Sequence, residues 1–160
     1  MKETLIAGLI GCQAFVVLFV ALHDWIPLGK LNNVAAARAV DSTRKLFLVT
    51  LLSTAPFAVG LAASVYYATS RFPNWLWWWL WISYGLAVYG MLRAWWVPYL
   101  VRADSVRAQR YQRRFAQTHA FLPARNGIRP DTLHVCLHAV VLAIVVMLAM
   151  LTLGKFSSSM

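Results

Sequence analysis

Charged residues are scarce in this chain of 160 residues: they make up 12% of it, and only five of them are Asp or Glu. An ordinary soluble protein has about 25% charged and about 45–50% apolar residues, whereas this chain is 61% hydrophobic. So short a chain has too little interior to hide that much apolar surface from water. The composition therefore excludes an ordinary soluble domain, and it excludes a disordered chain, which needs the opposite composition.

Cysteine and recognisable catalytic motifs are also nearly missing. The chain has two cysteines, Cys12 and Cys136, and no CxxC pair, which excludes dithiol redox chemistry of the usual kind. It contains no phosphate-binding glycine loop, nucleophile elbow or zinc-protease motif. Any function must therefore be inferred from where the polar residues lie.

Long apolar runs are what the sequence has in abundance. Each run is longer than the roughly 18 residues that indicate a membrane-crossing helix, and at ~1.5 Å per residue each can cross the ~30 Å hydrocarbon core. The chain is thus predicted to be an all-α membrane protein, a four-transmembrane-helix bundle forming one integral membrane domain, residues 1–160. The four predicted spans are residues 4–22, 46–68, 75–101 and 132–154.

The basic residues are distributed unevenly between the connections. Three cations, Lys2, Arg71 and Lys155, lie in the termini and the short second loop. Because cytoplasmic loops are rich in Lys and Arg, both termini are predicted to face outward, and loops 23–45 and 102–131 to face the cytoplasm, in a bacterial-type inner membrane. These two loops contain eleven cations: Lys30, Arg38, Arg44, Lys45, Arg102, Arg107, Arg110, Arg113, Arg114, Arg125 and Arg129.

This topology also explains the net charge of +10. Each cation near an anionic membrane surface contributes ~1 kcal/mol of attraction. Membrane lipids with anionic headgroups are therefore the expected partners at the cytoplasmic face, and no nucleic acid partner is needed.

The second basic loop has the pattern of a surface helix. Residues 105–119 place arginines on one face and aromatic residues on another, with Asp104 at the position of a helix cap. We expect an amphipathic interfacial helix that lies on anionic headgroups. The alternative is that some of its arginines, Arg110 and Arg114 among them, clamp the anionic group of a ligand.

Polar residues inside the apolar runs are the best candidates for function, because burying them in a bilayer is costly. Arg93 lies within the third run, and Asp131, His134 and His138 begin the fourth at spacings that put them on one helical stripe. We predict that Arg93, His134 and His138 converge as catalytic groups. Two alternatives stay open: a divalent metal on His134, His138 and Asp131, or simple interfacial hydrogen bonding with Asp131 as a helix cap.

Further polar residues lie on the same side of the predicted membrane. They suggest a pocket that opens to the cytoplasm and is closed on the outer side, where few polar groups occur. The predicted ligand-binding residues are Gln13, His23, Asp24, Arg110, Arg114 and His119.

Three functions fit these patterns. The first is a small polytopic membrane protein that binds an anionic or amphipathic lipid-like ligand in this His/Arg/Asp pocket. Such a protein could also be a membrane-embedded enzyme that acts on this ligand. The second is an oligomeric channel or transporter for an ion or small solute, and the third is a structural or accessory subunit. Gly60 and Ser64 have the spacing of small residues that permits close helix contact within the bundle or in a homo-oligomer.

Overall fold

The computed structural model describes the backbone of residues 2–157 and the side chains of residues 2–154. Met1, residues 158–160 and the Lys155 side chain lie outside this part. The chain is all-helical, with 76% of it in helices and no strand in the part described. The predicted all-α class is therefore confirmed.

The helices follow the predicted runs closely. Each polar connection between runs contains a short helix or turn of its own. The elements are α1 (Lys2–Leu22), a 3₁₀ turn (Gly29–Leu31), α2 (Val34–Val40), α3 (Thr43–Tyr66), α4 (Asn74–Met91), a π-helical segment (Leu92–Trp96, the π segment below), α5 (Val97–Leu100), α6 (Ser105–Phe115) and α7 (Thr132–Ser157).

Three helices, α1, α3 and α7, are long and apolar enough to cross a membrane, which indicates an integral membrane protein. The third predicted run, residues 75–101, is helical as well, because α4, the π segment and α5 follow one another without a break. However, α4 is not one of the three, and Trp, Tyr and Gly make up half of its 18 residues.

Four long helices surround one core. Helix α1 packs against α3 and α7, and α4 also packs against α3 and α7. Leu9, Leu76, Leu80, Ile144 and Leu148 are fully buried between them. The outward surfaces expose many large apolar side chains, a pattern that suits contact with lipid rather than with water.

Gly60 allows α4 to approach α3 closely. A Cβ atom at Gly60 would lie 3.1 Å from Leu80 Cδ2, and Ser64, one turn further along α3, is fully buried. The indole of Trp79 lies on the same contact and donates a hydrogen bond of 2.8 Å to the Pro56 carbonyl. The small-residue spacing thus serves packing within the chain.

The two long connections fold together at one end of the bundle. Helix α2 packs on α6, and the backbone N–H of His119 donates to the Lys30 carbonyl at 2.6 Å. Asp104 caps α6, as predicted, by accepting from the Arg107 backbone N–H at 2.8 Å. This end of the molecule collects most of the polar residues singled out from the sequence, but not Gln13, which lies in the middle of α1.

Candidate functional site

Pro98 explains the irregular helix at the site. Proline has no N–H, so the carbonyl of Ala94, four residues earlier, loses its α-helical donor. The N–H of Val97 donates to Leu92, which is the five-residue spacing of a π-helix. The carbonyl of Arg93 therefore also lacks a donor, because its own five-residue partner is Pro98.

Helix α6 supplies the missing donors. Tyr111 Oη donates to the Ala94 carbonyl at 2.5 Å, and Arg107 Nη1 donates to the Arg93 carbonyl at 2.9 Å. The two side chains are four residues apart and hence on one face of α6. Burial raises the pKa of Tyr111, so its hydroxyl stays a donor at neutral pH. Pro98 thus creates the acceptors to which α6 docks.

Tyr111→Phe is expected to destabilise the protein by about 1–2 kcal/mol, because the partly buried Ala94 carbonyl is left unpaired. Unfolding in detergent micelles measures the change. Tyr66→Phe is the control, because the side chain of Tyr66 is exposed. Equal stability of the Tyr111 and Tyr66 variants would contradict this account of α6 docking.

An open groove of about 660 Å³ runs between α6 and the segment Tyr89–Trp95. Its surface combines guanidinium groups with aromatic rings, and Asp104 is its one carboxylate within the part of the chain that the structure describes. The groove is lined by Tyr89, Gly90, Arg93, Ala94, Trp95, Asp104, Val106, Arg107, Arg110, Tyr111, Arg114, Phe115 and His134.

Asp131 and His134 form a pair at the start of α7. Asp131 is buried; one carboxylate oxygen accepts from the His134 backbone N–H at 2.9 Å, and the other lies 2.7 Å from His134 Nδ1. A carboxylate can only accept, so His134 Nδ1 carries the donated proton, and in the neutral form of the ring Nε2 is the atom that can accept. Asp131 therefore caps α7, as predicted, and at the same time orients the His134 imidazole.

Aromatic rings from several helices surround His134. Its ring centroid lies 4.6 Å from that of Trp95 and 5.4 Å from that of Phe115. On the α1 side, Phe19 and His23 lie at 5.8 and 5.6 Å. These contacts leave the imidazole few other orientations.

His138 lies apart from the groove. Its Nδ1 accepts from Trp96 Nε1 at 3.2 Å, and its ring centroid is 6.4 Å from that of His134. The two Nδ1 atoms thus have different partners. No group of three His, Cys, Asp or Glu side chains in the described residues is placed to hold a metal ion, so the metal alternative has no geometric support there.

Two carboxylates hold α6 to the other helices. Asp24, at the end of α1, accepts two hydrogen bonds from Arg114, at 2.6 and 2.8 Å. Asp41, between α2 and α3, accepts from Lys45 at 2.5 Å and from Arg110 at 3.0 Å, and lies 3.7 Å from Arg114. The hydrogen bond from Lys45, with the charge of Arg110, lowers the pKa of Asp41.

A smaller recess of about 20 Å³ lies behind the groove. His23, Asp24 and Asp131 line it, and Arg114, Phe115 and His134 line both cavities. His23 Nε2 is 3.5 Å from Asp24, and burial lowers the pKa of His23. The recess is thus a compact set of carboxylate, imidazole and guanidinium groups.

The structure groups some of the predicted site residues and separates others. Arg93 and His134 line the same groove, together with Arg110 and Arg114, whereas His138 lines neither cavity. Arg93 is exposed and makes no ion pair with any described residue.

Two further predicted ligand-binding residues lie elsewhere. Gln13 is fully buried in α1, and its amide atoms have no hydrogen-bond partner in the described part of the chain. His119 is exposed, with Nδ1 at 2.7 Å from Thr132 Oγ1. Neither residue lines the groove or the recess.

Sequence reasoning underestimated Trp95 and Tyr111. Trp95 lies near the end of the third predicted span, where aromatic side chains often lie at a membrane interface, but its side chain is buried against Tyr111, Phe115 and His134. The available indication was Pro98, since a proline late in an apolar run leaves a carbonyl that needs an outside donor.

Comparisons with known proteins add nothing to this geometry. No protein-family model matches the chain, no curated protein is similar to it in sequence, and no solved structure matches it.

Proposed function

We propose that this chain is an integral membrane protein with four transmembrane helices that binds an anionic, amphipathic molecule in the groove between α6 and the π segment. In this topology both termini face outward, and α6 lies at the cytoplasmic surface. The observation that carries the proposal is the lining of the groove, where four arginines stand beside four aromatic rings.

The helix made of α4, the π segment and α5 supports a fourth crossing. It contains 27 consecutive helical residues, from Asn74 to Leu100, which at ~1.5 Å per residue exceed the ~30 Å hydrocarbon core. Its side chains at Ile82, Leu86 and Tyr89 are exposed. In a membrane these positions would face lipid.

The placement of the arginines supports an anionic ligand. Arg114 and Arg110 are held by carboxylates behind the groove, while Arg93 has no such partner in the described part. A guanidinium with unused donors is well suited to carboxylate or phosphate groups. The neighbouring rings offer apolar surface to the rest of an amphipathic molecule.

Arg93→Ala is expected to reduce binding of anionic lipid at least about fivefold, which corresponds to about 1 kcal/mol for a lost charge-assisted contact. Native mass spectrometry measures the lipid bound by the protein, with anionic phosphatidylglycerol and with zwitterionic phosphatidylcholine. The matched control is Arg113→Ala, because Arg113 is an exposed arginine of α6 that does not line the groove. Equal lipid retention by the two variants would overturn the proposal.

Acid–base catalysis on the bound molecule is a second candidate function, and the observation that favours it is the Asp131–His134 pair. Asp131 orients the ring through Nδ1, and a general base would accept its proton at Nε2 of the neutral ring. The experiment incubates the protein with phosphatidylglycerol vesicles and analyses the products by mass spectrometry. Product that forms with the wild type and not with His134→Gln would support catalysis, whereas equal amounts would exclude it for this lipid.

A further inference from the structure

We infer that the groove selects a phosphomonoester headgroup, so that its ligand is a lipid with a terminal phosphate. This inference rests on the proposed function and names the ligand class of the same site. Two observations carry it: the excess of positive charge around the groove, and the position of the groove along the third predicted membrane span.

The arginines of the groove and their ion-pair partners carry excess positive charge. Arg107 has only the exposed Asp104, 3.8 Å from its Nε, and Arg93 has no carboxylate partner in the described part. Asp41 is shared by Lys45, Arg110 and Arg114, and Asp24 pairs with Arg114. Four arginines thus line the groove with one carboxylate, Asp104, and the carboxylates behind the groove, Asp24 and Asp41, offset only part of this positive charge.

A phosphomonoester matches this excess. It carries a charge of about −1.5 to −2 near neutral pH and three strong acceptor oxygens. A phosphodiester carries a single negative charge and has two free oxygens. The remaining donors of Arg93, Arg107 and Arg110 can therefore be used more completely by the monoester, through the paired geometry that guanidinium groups form with phosphate.

The position of the groove indicates a lipid rather than a soluble phosphate. Arg107 donates to the backbone of Arg93, which places its guanidinium directly beside the third predicted span. The groove then continues along that span to Gly90 and Tyr89, which lie ~18 Å from Val101 at helical rise. A headgroup between the arginines would leave its acyl chains along this apolar part.

The experiment titrates the full chain in detergent micelles with phosphatidic acid, phosphatidylglycerol and inorganic phosphate, and measures the dissociation constant of each. The two lipids are compared at concentrations that supply the same total headgroup charge. We expect phosphatidic acid to bind about tenfold more tightly than phosphatidylglycerol, and inorganic phosphate not to compete at equal concentration. Arg93→Ala and Arg93→Lys should reduce this preference, the alanine variant more, and Arg113→Ala should retain it. Because Arg93 is exposed, its variants are expected to fold.

The outcomes separate this inference from the proposed function. Binding of both lipids that depends on Arg93 but shows no preference would overturn the phosphomonoester and keep the anionic lipid. Competition by inorganic phosphate would assign the site to a soluble anion and overturn the lipid. Binding that does not depend on Arg93 for any anion would overturn the proposed function itself.

Discussion

Replacing Gly127 with alanine is expected to destabilise the protein by about 2–4 kcal/mol, combining left-handed backbone strain with steric overlap. Asn126 and Gly127 have φ angles of 52° and 74°, and Arg125 and Ile128 exchange two backbone hydrogen bonds across them. This is the tight turn that an Asn-Gly pair favours. A Cβ atom at Gly127 would lie 2.8 Å from Ala108 Cβ on α6.

The clash matters because the turn supports α6. Ile128, directly after the turn, is fully buried against Trp95 and Tyr99, and Asn126 donates to the Tyr99 carbonyl at 2.9 Å. The Ala108 methyl group is short and rigid, so the overlap can be relieved only by moving α6 away from the turn. The groove should widen, and lipid binding should weaken with stability.

Two matched variants separate strain from overlap. Gly29 also has a positive φ, 62°, but a Cβ atom there would meet nothing within 4 Å, so Gly29→Ala should cost only the backbone strain, about 1–2 kcal/mol. In an Ala108→Gly background, Gly127→Ala should cost a similar amount. Unfolding in detergent micelles provides all four free energies. If Gly127→Ala cost the same with and without the Ala108 methyl group, the overlap would play no part.

Asp41→Ala is expected to weaken the attachment of α6 to the bundle and to lower the free energy of unfolding, measured in detergent micelles, by about 2–3 kcal/mol. This is less than the roughly 3–5 kcal/mol for a fully buried pair that loses one partner. The Asp41 side chain is 6% exposed, but those of Lys45 and Arg110 are more than half exposed, so water screens part of the loss. Without the carboxylate, three cations would repel one another. Asp104→Ser is the control, because serine still caps α6.

The same carboxylate predicts a dependence on pH. The folded-state pKa of Asp41 is lowered, chiefly by its hydrogen bond from Lys45. Its stabilisation is therefore complete above the unfolded pKa of about 3.9 and is lost as the pH falls through the lower folded pKa. A spin label at Arg113→Cys, with Cys12 and Cys136 replaced by serine, should become mobile below about pH 4. Asp41→Asn should show no such step, and a step in that variant would assign the effect to another group.

Much of the fold could be predicted from local composition. Apolar runs must form helices in lipid because every backbone polar group needs an internal partner, and α1, α3 and α7 begin or end within a few residues of their predicted bounds. Asp104 and Asp131 were identifiable as caps, because capping requires only that an acid precede a helix. These features depend on neighbours in sequence.

The candidate site was only partly predictable, because it depends on contacts between distant segments. The spacing of Asp131, His134 and His138 predicted that all three lie on one face of a helix. In the structure the two imidazoles have different partners: His134 pairs with Asp131, and His138 accepts a hydrogen bond from Trp96. No periodicity indicates that Asp24 and Asp41 would both reach Arg114 on α6.

The sequence by itself determined an all-helical chain with three apolar helices of membrane-crossing length and basic residues gathered in two connections, because hydropathy and charge are properties of each segment alone. Only the tertiary structure decided that α6 docks on the π segment. This docking forms the groove and places Arg93 and His134 in its lining. The physical reason is that Pro98 leaves two carbonyls without donors, and which side chains satisfy them depends on where the chain returns.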